Sequence, residues 1–168
     1  IIGKYIQGET VQNTLQQLKD PEFYTADAVT DVLTQTLNNM AKRENMLDIK
    51  GLTDFIKQNY RQAYLFFVNS HPSNAVISFI LEKILNRLEI SEFTGLKNTF
   101  RKKNKRDFLH AIHFPIYPST ARHLKLEFEP PLEYNLHDQN YSWEEGIKMY
   151  FQFYDAHPDI VEDHQKKA

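Results

Sequence analysis

One histidine lies where two apolar stretches of the sequence meet. His71 follows the aromatic-rich run Ala-Tyr-Leu-Phe-Phe-Val of residues 63–68 and precedes a second apolar run that begins after Asn74. An imidazole gains and loses a proton near neutral pH, so a histidine held at such a junction can act as a general base. A histidine at a turn can equally be structural and satisfy nearby backbone groups. The residue pattern leaves both roles open for His71.

Four polar residues close to His71 in sequence are candidates to orient it. Asn69 and Ser70 come just before the histidine, and Ser73 and Asn74 come just after it. Their side chains can hydrogen-bond one ring nitrogen and so select the tautomer that leaves the other nitrogen for a substrate. We predict His71 as the catalytic residue and these four residues as substrate- or cofactor-binding.

A second candidate site is the basic cluster, residues 101–106, which places five cations in six residues. Its members Arg101, Lys102, Lys103 and Lys105 are predicted to bind the phosphates of a nucleotide or coenzyme. No aromatic residue is interleaved with the cations, so the stacking that nucleic-acid bases require is not indicated. A solvated loop is the alternative interpretation of the basic cluster.

The composition excludes several other classes of function. A net charge of −2, with 25% charged residues, provides no overall attraction for nucleic acid or an anionic membrane. There is no cysteine, so the chain has neither disulfides nor thiolate ligands, and its seven histidines are scattered rather than spaced as ligand pairs. We therefore expect no metal site and no nucleic-acid partner. No apolar run reaches the roughly 20 residues that span a bilayer.

The elements that must position His71 are mostly helices. Apolar residues recur at helical spacing in five segments. Two of these segments also begin with a helix-start signal, which is Thr25 or Asp27 in one and the Ser142–Glu145 capping box in the other. The predicted helices cover residues 11–19, 27–45, 52–60, 73–88 and 143–154. Residues 63–68 are predicted as a buried strand, with a turn at residues 71–72, and residues 113–131 as irregular or extended chain.

These elements predict a helix-dominated α/β fold with a small parallel sheet. In such folds, the crevice at the end of a strand and the start of the next helix is where ligands bind. The strand, turn and helix around His71 would place its imidazole in that crevice.

Several short segments, taken in order, resemble the WcbI-like family of capsular polysaccharide biosynthesis proteins. The most specific is the His-Pro-Ser-Asn turn of residues 71–74. The segments that carry the resemblance are residues 5–8, 43–44, 54–56, 65–74, 114–118 and 150–155. Together they extend over nearly the whole chain.

The resemblance implies an acyl-CoA-dependent O-acetyltransferase that acts in capsular or surface polysaccharide biosynthesis. Coenzyme A or acetyl-CoA would be the acyl-carrying substrate, and a glycan would be the acceptor. His71 would deprotonate the acceptor hydroxyl or an upstream nucleophile, and the basic cluster would bind the coenzyme phosphates. The expected location is the cytoplasm, at the periphery of the membrane-bound glycan assembly machinery.

The sequence also departs from the family pattern. The family opens with a strand that leads to a Gly-Asn-Cys-Gln motif, whereas this chain lacks cysteine, and Ser70 stands where the family tends to have asparagine. We therefore expect residues 1–168 to form a single domain that is the C-terminal part of a longer WcbI-like protein. The N-terminal segment of that protein would complete the core and the site.

The His-Pro turn followed by an amphipathic helix also resembles the last conserved block of the SGNH (GDSL) hydrolase superfamily. There an aspartate three residues before the histidine orients it, but Val68 occupies that position here. Two alternatives to the acetyltransferase follow, an SGNH-type esterase and a non-catalytic module that binds a nucleotide, a glycan or a protein. Binding of coenzyme A and ester turnover without it would discriminate among the three.

Overall fold

Helices make up most of the computed structural model, which describes residues 1–90 and 107–167. Two small sheets lie among them. The helices are α1 (Ile2–Ile6), α2 (Val11–Lys19), α3 (Ala26–Glu44), α4 (Leu52–Asn59), α5 (Asn74–Arg87), α6 (Pro118–Leu124), α7 (Trp143–Ala156) and α8 (Pro158–Lys167). The strands are β1 (Phe66–Val68), β2 (His71–Pro72), β3 (Ile112–His113), β4 (Tyr134–Leu136) and β5 (Gln139–Tyr141).

Local capping residues begin several of the predicted helices. The Thr10 hydroxyl accepts a hydrogen bond from the Asn13 amide, and the Thr25 hydroxyl caps α3 in the same way. Ser142 and Glu145 form the predicted reciprocal capping box at the start of α7. The helix-dominated α/β fold is thus confirmed. The helix starts could be predicted because capping contacts join residues only three or four positions apart.

The predicted parallel sheet is wrong, because the strand pairs of the described residues are antiparallel. β1 pairs with β2, and β3, β4 and β5 form a sheet in that order. β1 and β2 are joined through two residues, as are β4 and β5, and a connection this short permits only an antiparallel pair.

The proline-rich region is more regular than predicted. Pro118 is the first residue of α6, where the missing proline N–H is not needed, so this proline starts a helix instead of breaking one. β4 and β5 are connected by His137 and Asp138, with φ angles of 53° and 65°. This left-handed backbone matches the primed turns of two-residue hairpins.

Among the described residues, the buried core forms two apolar clusters. The first joins α2, β4 and α7 through buried Leu18, Tyr134, Trp143 and Ile147. The second lies under β1 and α5 and contains Ile56, Leu65 and Val76. The aromatic face of α7 is therefore part of the core.

An acidic side chain from a neighbouring helix caps α4. Gly51 occupies the N-cap position with φ of 101° and has no side chain to donate or accept, and α4 starts at Leu52, one residue before Thr53. The Glu44 carboxylate, at the end of α3, accepts hydrogen bonds from the Leu52 N–H at 2.5 Å and the Thr53 N–H at 3.3 Å. α3 and α4 are therefore held together end to end.

We expect Glu44→Ala to lower the free energy of unfolding by about 1 kcal/mol, the typical loss for a helix cap. Burial raises the pKa of Glu44, but the nearby Thr53 hydroxyl and the N–H groups of Leu52, Thr53 and Gly51 outweigh this effect, so the pKa is lowered. The contribution is therefore present above the unfolded pKa of about 4.3 and is lost as pH falls through the lower folded pKa.

Denaturant unfolding at pH 7 and at pH 3 would measure this effect, with exposed Glu133 changed to Ala as the control. The stability difference between the wild-type protein and Glu44→Ala should shrink at the acidic pH. An equal loss from Glu133→Ala, or a difference independent of pH, would contradict the capping role.

A shallow groove of about 250 Å³ lies between α3 and α6, and none of its lining residues belongs to the predicted site. The lining residues are Tyr24, Ala28, Val29, Val32, Leu33, Thr36, Thr120 and Leu124.

Among the described helices, none combines the length and apolar character needed to cross a bilayer.

Candidate functional site

His71 lies on the returning strand of a hairpin, not at the turn itself. Val68 pairs with His71 and Phe66 with Pro72, so Asn69 and Ser70 form the two-residue turn between β1 and β2. The predicted turn at residues 71–72 is therefore displaced by two residues. Pro72 is compatible with this position because it ends a very short strand, where one missing N–H is tolerated.

The imidazole of His71 is half-buried, and its Nδ1 atom is buried without a hydrogen-bond partner among the described residues. Asn69 and Ser70 are both exposed at the hairpin turn. Buried polar atoms are normally hydrogen-bonded, so this ring nitrogen is a polar group that the described residues leave unsatisfied.

Ser73 follows β2 and lies inside the protein. Its backbone N–H donates to the Leu65 carbonyl at 2.8 Å, which closes the hairpin onto the start of α5. The residue is 4% exposed, and its hydroxyl has no hydrogen-bond partner in the part of the chain that the structure describes. Although Ser73 occupies the N-cap position of α5, its side chain does not cap the helix.

The cap of α5 comes instead from Asp107. The Asn74 N–H donates to the Asp107 carboxylate at 2.5 Å, and the Phe108 N–H donates to the Asn74 side-chain oxygen at 3.1 Å. These two reciprocal bonds attach the first turn of α5 to a segment 33 residues further along the chain. Asn74, predicted to bind substrate, thus has a structural role as well.

Asp107 is in turn connected to the β4–β5 hairpin through His110. The His110 Nδ1 donates to the Asp107 carbonyl, and its Nε2 lies 3.1 Å from the Asp138 carboxylate, at ion-pair distance without hydrogen-bond alignment. An acceptor therefore faces each ring nitrogen of His110. This arrangement favours a structural role, in which His110 links Asp107 to Asp138, over the role of a general base. Our sequence reasoning missed Asp107 and His110, although their Asp-x-x-His spacing was a signal.

Tyr64 joins the two sheets near the site. Its hydroxyl donates to the Phe114 carbonyl at 2.8 Å and lies 3.3 Å from the Phe67 carbonyl, while the Phe114 N–H donates to Phe67 at 3.4 Å. Burial raises the pKa of Tyr64 to about 12. The phenol therefore keeps its proton and remains a donor at neutral pH.

The predicted basic cluster, with Arg101, Lys102, Lys103 and Lys105, lies outside the described residues. Within residues 1–90 and 107–167 there is no group of three or more His, Asp or Glu side chains arranged to hold a metal ion. The site that the structure does bring together consists of His71, Ser73 and the first turn of α5.

These features define a helix-rich α/β protein in which a hairpin and the following helix present a histidine. Among solved structures, the chain resembles WcbI, a polysaccharide biosynthesis enzyme, with a TM-score of 0.77 and 19% sequence identity. That structure is of the native protein without a disulfide bond between coenzyme A and one of its cysteines. The match covers 95% of this chain and 53% of that chain, so this chain spans about half the length of the solved enzyme and shares its fold there.

A family model described as polysaccharide biosynthesis enzyme WcbI matches residues 2–92, more than half of the chain. The chain belongs to the WcbI family of polysaccharide biosynthesis enzymes, as its residue pattern predicted. No curated protein sequence matches it significantly.

Proposed function

We propose that this chain contributes the histidine-bearing part of an acyl-CoA-dependent O-acetyltransferase that modifies a capsular or surface glycan. The observation that carries the proposal is the buried, unpartnered Nδ1 of His71, two residues before the unpartnered hydroxyl of Ser73 at the start of α5. Buried polar atoms without a partner are unusual in a folded protein, and we take these two to mark the place where the complete site would supply a polar group. Family membership and the coenzyme A named with the solved WcbI structure support the choice of ligand.

In the proposed reaction, His71 accepts the proton of an acceptor hydroxyl as that oxygen attacks the thioester carbonyl. A new carbon–oxygen bond forms, the carbon–sulfur bond to coenzyme A breaks, and the sulfur leaves with the proton from the imidazolium. Each cycle returns His71 to its neutral form. The family's role in polysaccharide biosynthesis supports a glycan hydroxyl as the acceptor.

The proposal includes a longer WcbI-like protein, in which residues 1–168 form a C-terminal domain and an N-terminal segment is its partner. The fact that the chain spans 53% of the solved enzyme supports this arrangement. The proposed location is the cytoplasm, next to the membrane-bound machinery that assembles the glycan.

The basic cluster is proposed to bind the phosphates of coenzyme A. Changing Lys102, Lys103 and Lys105 together to Ala should weaken coenzyme A binding at low salt by about tenfold or more, since each charge-assisted contact contributes roughly 1–3 kcal/mol when partly buried. Isothermal titration calorimetry of the protein with coenzyme A measures this directly.

A charge-matched control replaces three exposed lysines elsewhere, Lys57, Lys148 and Lys166, with Ala. This control should leave the affinity nearly unchanged. Equal losses in the two triple variants would mean that only net charge matters, and an unchanged affinity in the cluster variant would identify a solvated loop. Ester hydrolysis in the absence of coenzyme A would instead identify an SGNH-type esterase.

A further inference from the structure

The first turn of α5 is capped by a residue far away in sequence, although a serine able to cap it stands at the N-cap position. Ser73 stands at the N-cap position, yet its hydroxyl makes no cap bond. The Asp107 carboxylate takes that place and binds the Asn74 N–H, while the Asn74 side chain accepts from the Phe108 N–H. These two bonds join the start of α5 to residues 33 and 34 positions away in sequence.

The segment that carries Asp107 is itself attached on two sides. His110 connects it to the β4–β5 turn at Asp138, whose N–H donates to the Asn135 side chain at 3.1 Å. At its other end, Phe114 is hydrogen-bonded to Phe67 of β1. Asp107 therefore lies on a support that is anchored both to the second sheet and to the hairpin that carries His71.

His71 is separated from Asn74 by only two residues, and the Ser73 N–H is bonded back to Leu65 at the start of the hairpin. Any shift of the first turn of α5 is thus transmitted through a very short stretch of chain to the imidazole. We propose that Asp107 is a positioning residue for the His71 site, holding the start of α5 and, through it, the orientation of the His71 ring. This inference rests on the proposed function for its catalytic consequence alone.

Two substitutions at Asp107 separate the effect of losing the hydrogen bond from the effect of losing the charge. Asp107→Ala removes the acceptor for the Asn74 N–H, whereas Asp107→Asn keeps an oxygen there and removes only the charge. We expect Asp107→Ala to lower kcat for acyl transfer by about tenfold to 100-fold, the usual scale for a displaced catalytic group, with KM for acetyl-CoA changed less than twofold. Asp107→Asn should recover most of kcat.

A spectroscopic measurement does not depend on turnover. In Asp107→Ala, the His71 ring resonances should shift, and amide exchange at the first turn of α5 should accelerate at least tenfold. Thr25→Ala is the matched control, because it removes an equivalent cap from α3. It should lower Tm to a similar extent while leaving the His71 resonances and kcat unchanged.

The outcomes distinguish this inference from the proposed function. Absence of acyl transfer in the wild-type protein, together with the expected His71 shifts, would reject the transferase and keep the positioning role. Unchanged His71 resonances in Asp107→Ala would overturn the positioning role, whatever the activity. A loss of kcat that follows the folded fraction equally in Asp107→Ala and Thr25→Ala would also overturn it.

Discussion

We expect His71→Gln to reduce acyl transfer by about 100-fold to 10,000-fold, the contribution of a well-placed general base. Glutamine has similar reach and can hydrogen-bond, but its amide does not accept a proton near neutral pH. The ring is only half-buried, and its Nδ1 has no partner among the described residues, so the substitution leaves no protein group newly unsatisfied. Stability and coenzyme A affinity should therefore change little.

Transfer rate, coenzyme A affinity and Tm measured on the same preparation test this expectation. His164→Gln, at an exposed histidine of α8, is the control and should match the wild-type protein in all three measurements. A structural His71 would give the reverse result, with stability lowered by about 1–3 kcal/mol and residual activity following the folded fraction. An active but unstable His71→Gln protein would thus remove His71 from the reaction.

The second large effect is expected at Gly146, on the core face of the first turn of α7. A Cβ atom added to this residue would overlap the ring of Tyr134, which is 5% exposed and packed in the first core cluster. Interiors are close-packed, so the ring has little room to move away. We expect Gly146→Ala to lower the free energy of unfolding by about 1–3 kcal/mol, although alanine is the better helix former.

Gly3→Ala is the matched control, because Gly3 is also helical and a Cβ atom there would meet nothing within 4 Å. The control should stabilise the protein by about 0.5–1 kcal/mol through helix propensity alone. Thermal and denaturant unfolding of the two variants would therefore give shifts of opposite sign. A stabilised Gly146→Ala protein would show that Tyr134 does not rest on the backbone of α7.

The features that could be predicted depend on contacts between residues close together in sequence. The helices α2, α3 and α7 follow from apolar spacing and from the caps Thr10, Thr25 and Ser142, because each cap contacts an amide three residues ahead. The family was likewise recognisable from short segments whose order survives in the linear chain. His71 could be singled out from the sequence because it lies between two apolar stretches and is followed by proline.

Tertiary structure corrected the prediction at the strands. The sequence of residues 63–72 indicates an extended segment and a turn, but it did not show that the strand continues after the turn as the returning strand of a hairpin. The turn lies at residues 69–70, and His71 and Pro72 return antiparallel to β1. A histidine beside a turn was thus predictable, while the register of the backbone that holds it was not.

The sequence alone therefore determined the helix-rich class, the ends of the locally capped helices and the candidate histidine. Only the tertiary structure decided which side chains cap and pack the helices from elsewhere in the chain. Asp107 caps α5 across 33 residues, Glu44 caps the helix that follows its own, and Tyr134 packs against Gly146. The free energy of such contacts depends on distances that exist only after folding, so no local pattern of residue types encodes them.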